Sequence, residues 1–290
     1  MAELCAIIES AVRAHGAALM GVVNVTPDSF FDGGRFVDDG AARSRVDALL
    51  DAGATVIDVG GESSRPGAPT IPAEEQIRRV GPAIEHAVGR GAVVSIDTTS
   101  PEVADFALSR GARVVNDVSC LSDIDLARVT SRHGAAIVVT HARGPMAKMA
   151  GFSRWPESDY GDVIADVRAE WSAARERAVA AGVRRENVFC DPGLGFSKSA
   201  RHSLELLGRL GELRATGAIL VVGPGRKSFI SSVDPSPPGE RLGGTIAACV
   251  LAVQRGAQVL RVHDVREVRQ ALAVVRSASP SGSTEAARGL

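Results

Sequence analysis

Eight short runs rich in Val and Ile, most of them followed by a helical stretch, restrict this chain more than any other feature. They cover residues 18–26, 55–61, 93–98, 114–119, 135–141, 188–195, 218–225 and 259–265. Several are apolar over most of their length rather than alternating, which predicts strands buried on both faces. Amphipathic segments lie between them, among them 41–52, 101–110, 160–181 and 244–255. Gly53, Gly111, Gly182 and Gly256 end these segments, as expected at helix C-termini. Eight strand–helix units in 290 residues predict an α/β fold of the (β/α)8 TIM-barrel type, built as one domain. An open doubly wound sheet, the runner-up, would more naturally have fewer strands and a Gly-rich first turn. The expected organisation is a helical N-terminal capping segment over 1–17, the barrel over 18–276 and a disordered tail over 277–290, rich in Ser, Ala and Gly. The Pro- and Ser-rich stretch 231–240 reads as a surface loop.

A net charge of −1 gives no sign of a general nucleic-acid or membrane surface, so an anionic ligand needs a local cluster of positive groups. Cys5, Cys120, Cys190 and Cys249 lie far apart, which argues against a structural zinc site or a disulfide framework. The first residues are acidic rather than basic and no run of about 20 apolar residues is present, so the expected location is cytoplasmic and reducing.

The predicted strands end in polar side chains: Asn24, Asp58, Asp97, Asn116 with Asp117, His141, Asp191, Lys227 just past its strand, and Arg261 with His263. Barrels of this kind build their sites at the C-terminal strand ends. One such residue is easily a helix cap or turn former. Polar residues at nearly all eight ends describe a pocket. Asn24, Arg65, Arg261 and His263 supply donors and positive charge suited to phosphate. Asp97, Asn116, Asp191 and Lys227 mix acceptors and donors, suited to a flat heterocycle. Gly223–Ser228 departs from P-loop spacing and 193–198 lacks the third Gly of a dinucleotide fingerprint.

These residues also carry a resemblance. Asn24-Val-Thr-Pro-Asp-Ser-Phe30 with Asp32-Gly-Gly34, and Asp58-Val-Gly-Gly-Glu-Ser-Ser-Arg-Pro-Gly67, resemble the first two signatures of dihydropteroate synthases. Ser95-Ile-Asp-Thr98, Asn116-Asp-Val118, Asp191-Pro-Gly-Leu-Gly-Phe196, Arg226-Lys-Ser-Phe229 and Arg261-Val-His-Asp264 continue the match in order, over roughly residues 18–275. The resemblance implies a homodimeric barrel, a 6-hydroxymethyl-7,8-dihydropterin pyrophosphate substrate, and Mg²⁺ reached by Asn24. It implies that Asp97, Asn116, Asp191 and Lys227 hold the pterin with Phe196 against it, that Val118 and Thr140 belong to the same pocket, and that Asn24, Arg65, Arg261 and His263 face the pyrophosphate. Ser64, Pro66 and Ser228 fall on the p-aminobenzoate side, which a sulfonamide would share. The loops 27–36 and 62–70 would close over the site. Thr140 stands where the family often has Met, Gly225 where it often has Ser, and Ser64 where it often has Thr.

The implied reaction breaks a C–O bond to pyrophosphate and forms a C–N bond to an arylamine, with Mg²⁺, Arg65, Arg261 and His263 stabilising the leaving group and Asp97 and Asp191 the pterin methylene cation. Two other readings compete. A corrinoid-linked methyltransferase would need no pyrophosphate clamp, and a non-enzymatic paralogue would bind the pterin without turnover.

Overall fold

The computed structural model describes residues 2–26, 39–63, 70–144 and 151–278. Eight parallel strands run β1 (Ala18–Asn24), β2 (Val56–Gly60), β3 (Val93–Asp97), β4 (Val114–Asp117), β5 (Ala136–Thr140), β6 (Val188–Asp191), β7 (Val221–Val222) and β8 (Val259–Val262). The hydrogen-bonded order is β6-β5-β4-β3-β2-β1-β8-β7. A parallel bridge between Cys190 and Leu220 joins the two ends and closes the barrel. The run at 218–225 yields only a two-residue strand, because Gly223 and then Pro224, which has no N–H, end the ladder.

Successive strand residues point to opposite sides, and each side has its own apolar core. Ile57, Val59, Val94, Ile96, Val115, Ile137 and Val139 face outward and pack under the helices. Val56, Val93, Val114, Val138, Phe189, Val221 and Val259 face inward and fill the N-terminal half of the barrel. This double burial is why the strands read as apolar runs. The outer layer contains α2 (Asp39–Asp51), α3 (Ala73–Gly89), α4 (Pro101–Ser109), α5 (Ile124–Arg132), α6 (Val163–Ala180), α7 (Ala200–Gly208), the one-turn α8 (Ser228–Ser231), α9 (Leu242–Gln254) and α10 (Val265–Ala278). Gly53, Gly111, Gly182 and Gly256 follow helices with φ near +100°, the left-handed stop that only glycine adopts without strain.

The remaining helix, α1 (Ala2–His15), lies across the N-terminal mouth, where Leu4 and Ile8 join the inward apolar cluster and are almost fully buried. Residues 232–235 and 237–240 are mostly exposed. The tail from 279 and the loop segments 27–38 and 64–69 fall outside the described residues. Among those described, no helix is long and apolar enough to cross a membrane.

The packing of α1 predicts a measurable cost. Ile8→Ala should lower the unfolding free energy by about 2–5 kcal/mol, read from the urea midpoint. A loss below about 0.5 kcal/mol, the range of surface substitutions, would mean that α1 does not contribute to the core.

Candidate active site

The inward positions turn polar two residues beyond the apolar plug. Asp58 follows Val56, Ser95 follows Val93, Asn116 follows Val114, Thr140 follows Val138, Asp191 follows Phe189 and Arg261 follows Val259. All but Arg261 are nearly fully buried. Arg261 is in register with Met20, whereas Asp58 pairs with Val22 one pleat higher and Asp97 with Gly60 higher still. Its side chain therefore climbs through the barrel to reach both acids. Nε donates to Asp58 Oδ2 at 2.6 Å, and Nη2 donates to Asp97 Oδ2 at 2.6 Å. Asn116 Nδ2 donates to the same Asp58 oxygen at 3.3 Å. Asp58 Oδ1 is buried without a hydrogen-bond partner among the described residues. Burial pushes Asp97 above the ordinary carboxylate range, with Asp58 adding to the shift and Arg261 opposing it. Burial also works against the Arg261 charge, but Asp58 and Asp97 outweigh it and the guanidinium stays ionised.

The turn after β6 supplies a second group. Burial raises the Asp191 pKa, while Lys227 and the Gly193 N–H, which donates to Oδ1 at 2.7 Å, work to lower it. Lys227, the residue preceding α8, donates from Nζ to the Leu194 carbonyl at 2.6 Å and stands 4.6 Å from the centre of the Phe196 ring. Burial pulls its pKa down to about 8, against Asp191. Phe196 clusters with Val118 and Ala142, and Phe152 meets it edge-on at 5.3 Å. Thr140 is buried in register with Asp191. Ser228 Oγ bonds to the Phe152 carbonyl at 2.8 Å and to Ser153 Oγ at 2.9 Å, tying α8 to the loop after β5.

Asn24 ends β1 on one side of Gly60 and Asp97 lies on the other. A Cβ at Gly60 would sit 3.8 Å from Asn24 Oδ1 and 3.4 Å from Asp97 Cβ. His263 follows β8. Burial, Arg261 and Arg45 lower its pKa to about 4, so it is neutral at pH 7. Arg226 turns away from this cluster and grips Asp264 through two hydrogen bonds, of 2.8 and 2.9 Å. Ser64, Arg65 and Pro66 lie outside the described residues, as do 27–36 of the first loop and 64–69 of the second. Among the described residues no group of three or more His, Cys, Asp or Glu side chains could hold a metal ion. Asn24 Oδ1, near Gly60 and Asp97 at the strand ends, is a hard oxygen of the kind Mg²⁺ accepts.

Sequence reasoning named the strand-end residues but assigned no role to Asp58, Phe152 or Lys198. Asp58 is the inner partner of Arg261, and its position at a strand end was the available signal. Phe152 belongs to a long loop with no pattern of its own. Lys198 is wholly buried although it follows a glycine-rich turn, where lysine is normally solvated. A groove of about 1050 Å³ beside Cys5, Glu9, Arg184 and Gln258 lies at the opposite, N-terminal end of the barrel, remote from this polar cluster.

The chain matches the model of a family described as pterin binding enzymes over residues 20–263. It is 43% identical over 252 residues to a probable bifunctional folylpolyglutamate synthase/dihydropteroate synthase of Haloferax volcanii, a match covering 87% of this chain and 29% of that longer protein. It is 41% identical to the dihydropteroate synthase of Synechocystis, covering 87% of this chain and 86% of the relative. A solved dihydropteroate synthase from Xanthomonas albilineans in complex with 7,8-dihydropteroate superposes with a TM-score of 0.79 at 34% identity, covering 91% of this chain and 95% of that one.

Two histidines, His141 buried and His263 half-buried, set a pH dependence of stability. His263 and His141 both have folded pKa values lowered to about 4, chiefly by burial, against 6.5 for the free side chain. Between those values the unfolded chain binds more protons than the folded one, so stability is fully present above pH 6.5 and is lost as pH falls toward 4. Each histidine should contribute a slope of up to about 1.4 kcal/mol per pH unit in that window. Urea titrations of the wild type, His263→Gln and His141→Gln from pH 7 to 4 measure it. Identical slopes in all three would contradict neutral imidazoles at these two positions in the folded protein.

Proposed function

The chain belongs to the pterin-binding enzyme family, and within it to the dihydropteroate synthases, and from that premise we infer that it condenses 6-hydroxymethyl-7,8-dihydropterin pyrophosphate with p-aminobenzoate to give 7,8-dihydropteroate and pyrophosphate. The observation that carries the reading is the polar upper layer of the barrel, with Arg261 held between Asp58 and Asp97, Asn116 beside them, and facing them Asp191 and Phe196 around the turn after β6, with Lys227 from the turn after β7.

In this reading the carboxylates of Asp97 and Asp191 accept N–H bonds from the pterin edge, the Asn116 amide donates and accepts, and Lys227 donates to ring oxygen and nitrogen. Phe196 supplies an apolar face, with Val118 and Thr140 completing the pocket. The bond between the pterin methylene and pyrophosphate breaks with its electron pair leaving on the phosphate oxygen. The arylamine lone pair then forms the C–N bond, and the proton released from that nitrogen passes to solvent or pyrophosphate. Asp97 and Asp191 favour the positive charge that develops on the pterin methylene. Arg261 is already fixed by two carboxylates, so it presents an oriented positive charge to the leaving group without reorganising. Neutral His263 offers one N–H donor, and Arg65 and Asn24 complete the phosphate side. When bound, Mg²⁺ adds electrostatic stabilisation of the leaving pyrophosphate. Ser64, Pro66 and Ser228 form the p-aminobenzoate side. Because its guanidinium touches the pterin-side acid Asp97, Arg261 joins the two halves of the site rather than serving the phosphate alone.

Four free cysteines accord with a cytoplasmic, reducing location. A homodimer belongs to the same proposal. Ile246, Val250 and Leu251 on α9 remain only half-buried in the single chain.

The deciding assay follows pyrophosphate release from the pterin substrate with and without p-aminobenzoate and Mg²⁺. Release that depends on p-aminobenzoate supports synthesis, and pterin binding without release would identify a non-enzymatic binder instead. Arg261→Met should lower kcat by about 10²–10³-fold, the cost of losing one preorganised charge-stabilising group. It should also weaken bare-pterin binding, because Asp58 and Asp97 lose their shared partner. Unchanged kcat in steady-state kinetics would remove Arg261 from the mechanism.

A further inference from the structure

Behind the turn after β6 a buried lysine and a buried neutral histidine lead out to a half-exposed glutamate, a chain that the reaction does not use. Lys198 is fully buried, and its Nζ has three acceptors: His141 Nδ1 at 2.9 Å, the Phe196 carbonyl at 3.0 Å and the His141 carbonyl at 3.2 Å. Three acceptors match the three N–H bonds of an ammonium group. On its far side His141 Nε2 lies 3.0 Å from Glu170 Oε2. Hydrogen bonding from His141 and Arg143 holds Glu170 well down, at about 2, so it is an ionised acceptor. Nε2 must therefore carry the imidazole proton, and Nδ1 offers its lone pair to Lys198. This arrangement assigns the Nε2–H tautomer.

The turn itself is packed without slack. A Cβ at Gly193, where φ is +71°, would lie 2.0 Å from the His141 carbonyl oxygen and 3.2 Å from Lys198 Nζ. Ser197, also left-handed at φ +46°, exchanges hydrogen bonds with the Arg143 backbone at 2.8 and 3.0 Å. Burying an ammonium costs several kcal/mol unless its partners repay it, and a methionine would fill the same volume without that cost. A cation here is accounted for by what it holds.

We propose that Lys198 is a positioning residue for the pterin site: anchored by His141 and, through it, by Glu170, it pins the Phe196 carbonyl and so fixes the turn that carries Asp191 and Phe196. The proposal rests on reading the barrel mouth as a pterin site. Burial pulls Lys198 down to about 7, with Asp191 opposing. Its positive charge also helps keep Asp191 ionised.

Lys198→Met tests it. Calorimetry with bare 6-hydroxymethyl-7,8-dihydropterin should show affinity weakened about tenfold, the scale of one net hydrogen bond. KM for the pyrophosphate substrate should rise in step while kcat changes less than about threefold, because the lost interaction serves ground and transition states alike. Tm should fall, since His141 Nδ1 and two buried carbonyls lose their donor. Unchanged pterin affinity in a folded variant overturns the proposal, since a merely structural lysine would move Tm and leave affinity alone. Nitrogen NMR of His141 in the wild type reads the chain without any variant or substrate. The Nε2–H tautomer with a hydrogen-bonded Nδ1 supports it, and the Nδ1–H tautomer overturns it. Should Lys198→Met fail to fold, Glu170→Ala serves in its place. It should release His141 into a tautomer mixture and weaken pterin binding, and a variant with wild-type tautomer and affinity counts against the proposal. A wild-type protein that binds no pterin defeats the underlying pterin reading, an outcome that the NMR result separates from failure of the Lys198 link.

Discussion

The placement of Arg261 between Asp58 and Asp97 governs the upper half of the barrel. Two carboxylates and a guanidinium inside a protein cost much in lost hydration, and only close, well-directed hydrogen bonds repay that. Here both bonds are 2.6 Å long. Removing the arginine would leave two acids facing each other, a loss on the order of 3–5 kcal/mol for a broken buried pair. The same arrangement prevents the barrel from filling with apolar side chains above Val56 and Val259. The interior thus divides into an apolar plug that stabilises the fold and a polar layer that can meet a ligand. Asn116, hydrogen-bonded to Asp58, Asp191 at the end of β6 and Lys227 before α8 extend this layer toward the open end.

Much of this was legible from period and position. Apolar runs marked strands buried on both faces, and stepping two residues past the last inward apolar side chain lands on Asp58, Ser95, Asn116, Thr140, Asp191 and Arg261. Legibility stopped where pairing begins. Asp58 and Arg261 are 203 residues apart and His141 and Lys198 are 57 apart, and no local pattern says that they meet. The same holds for Phe152, whose contact with Phe196 arises from the path of a loop. Arg261 was grouped with the phosphate residues on charge alone. Register shows that it starts two pleats below Asp97 and must pass the acids. The length of β7 was overread because the Val-rich run continues into Gly223 and Pro224, which cannot sustain a ladder.

The facing wall of the site depends on the turn after β6. Asp191 leaves the strand, Gly193 crosses directly over the His141 carbonyl, and Phe196 returns beneath the Lys227 ammonium. Backbone conformations that favour glycine and a wholly buried lysine make this turn specific rather than merely compact. The barrel therefore presents two differently built walls to one ligand: strand residues locked by an ion triad, and a turn locked by its own carbonyls.

The most direct measurement of the central claim, that the polar upper layer is shaped for a pterin, is calorimetry of a bare pterin against wild type and Asp191→Asn. The substitution keeps size but turns one acceptor into a donor opposite a ring N–H, leaving an unpaired buried polar group that costs about 1–3 kcal/mol. The account predicts that affinity falls by roughly ten- to a hundredfold on that basis while the folded structure is retained. Equal affinity for the two proteins would contradict it.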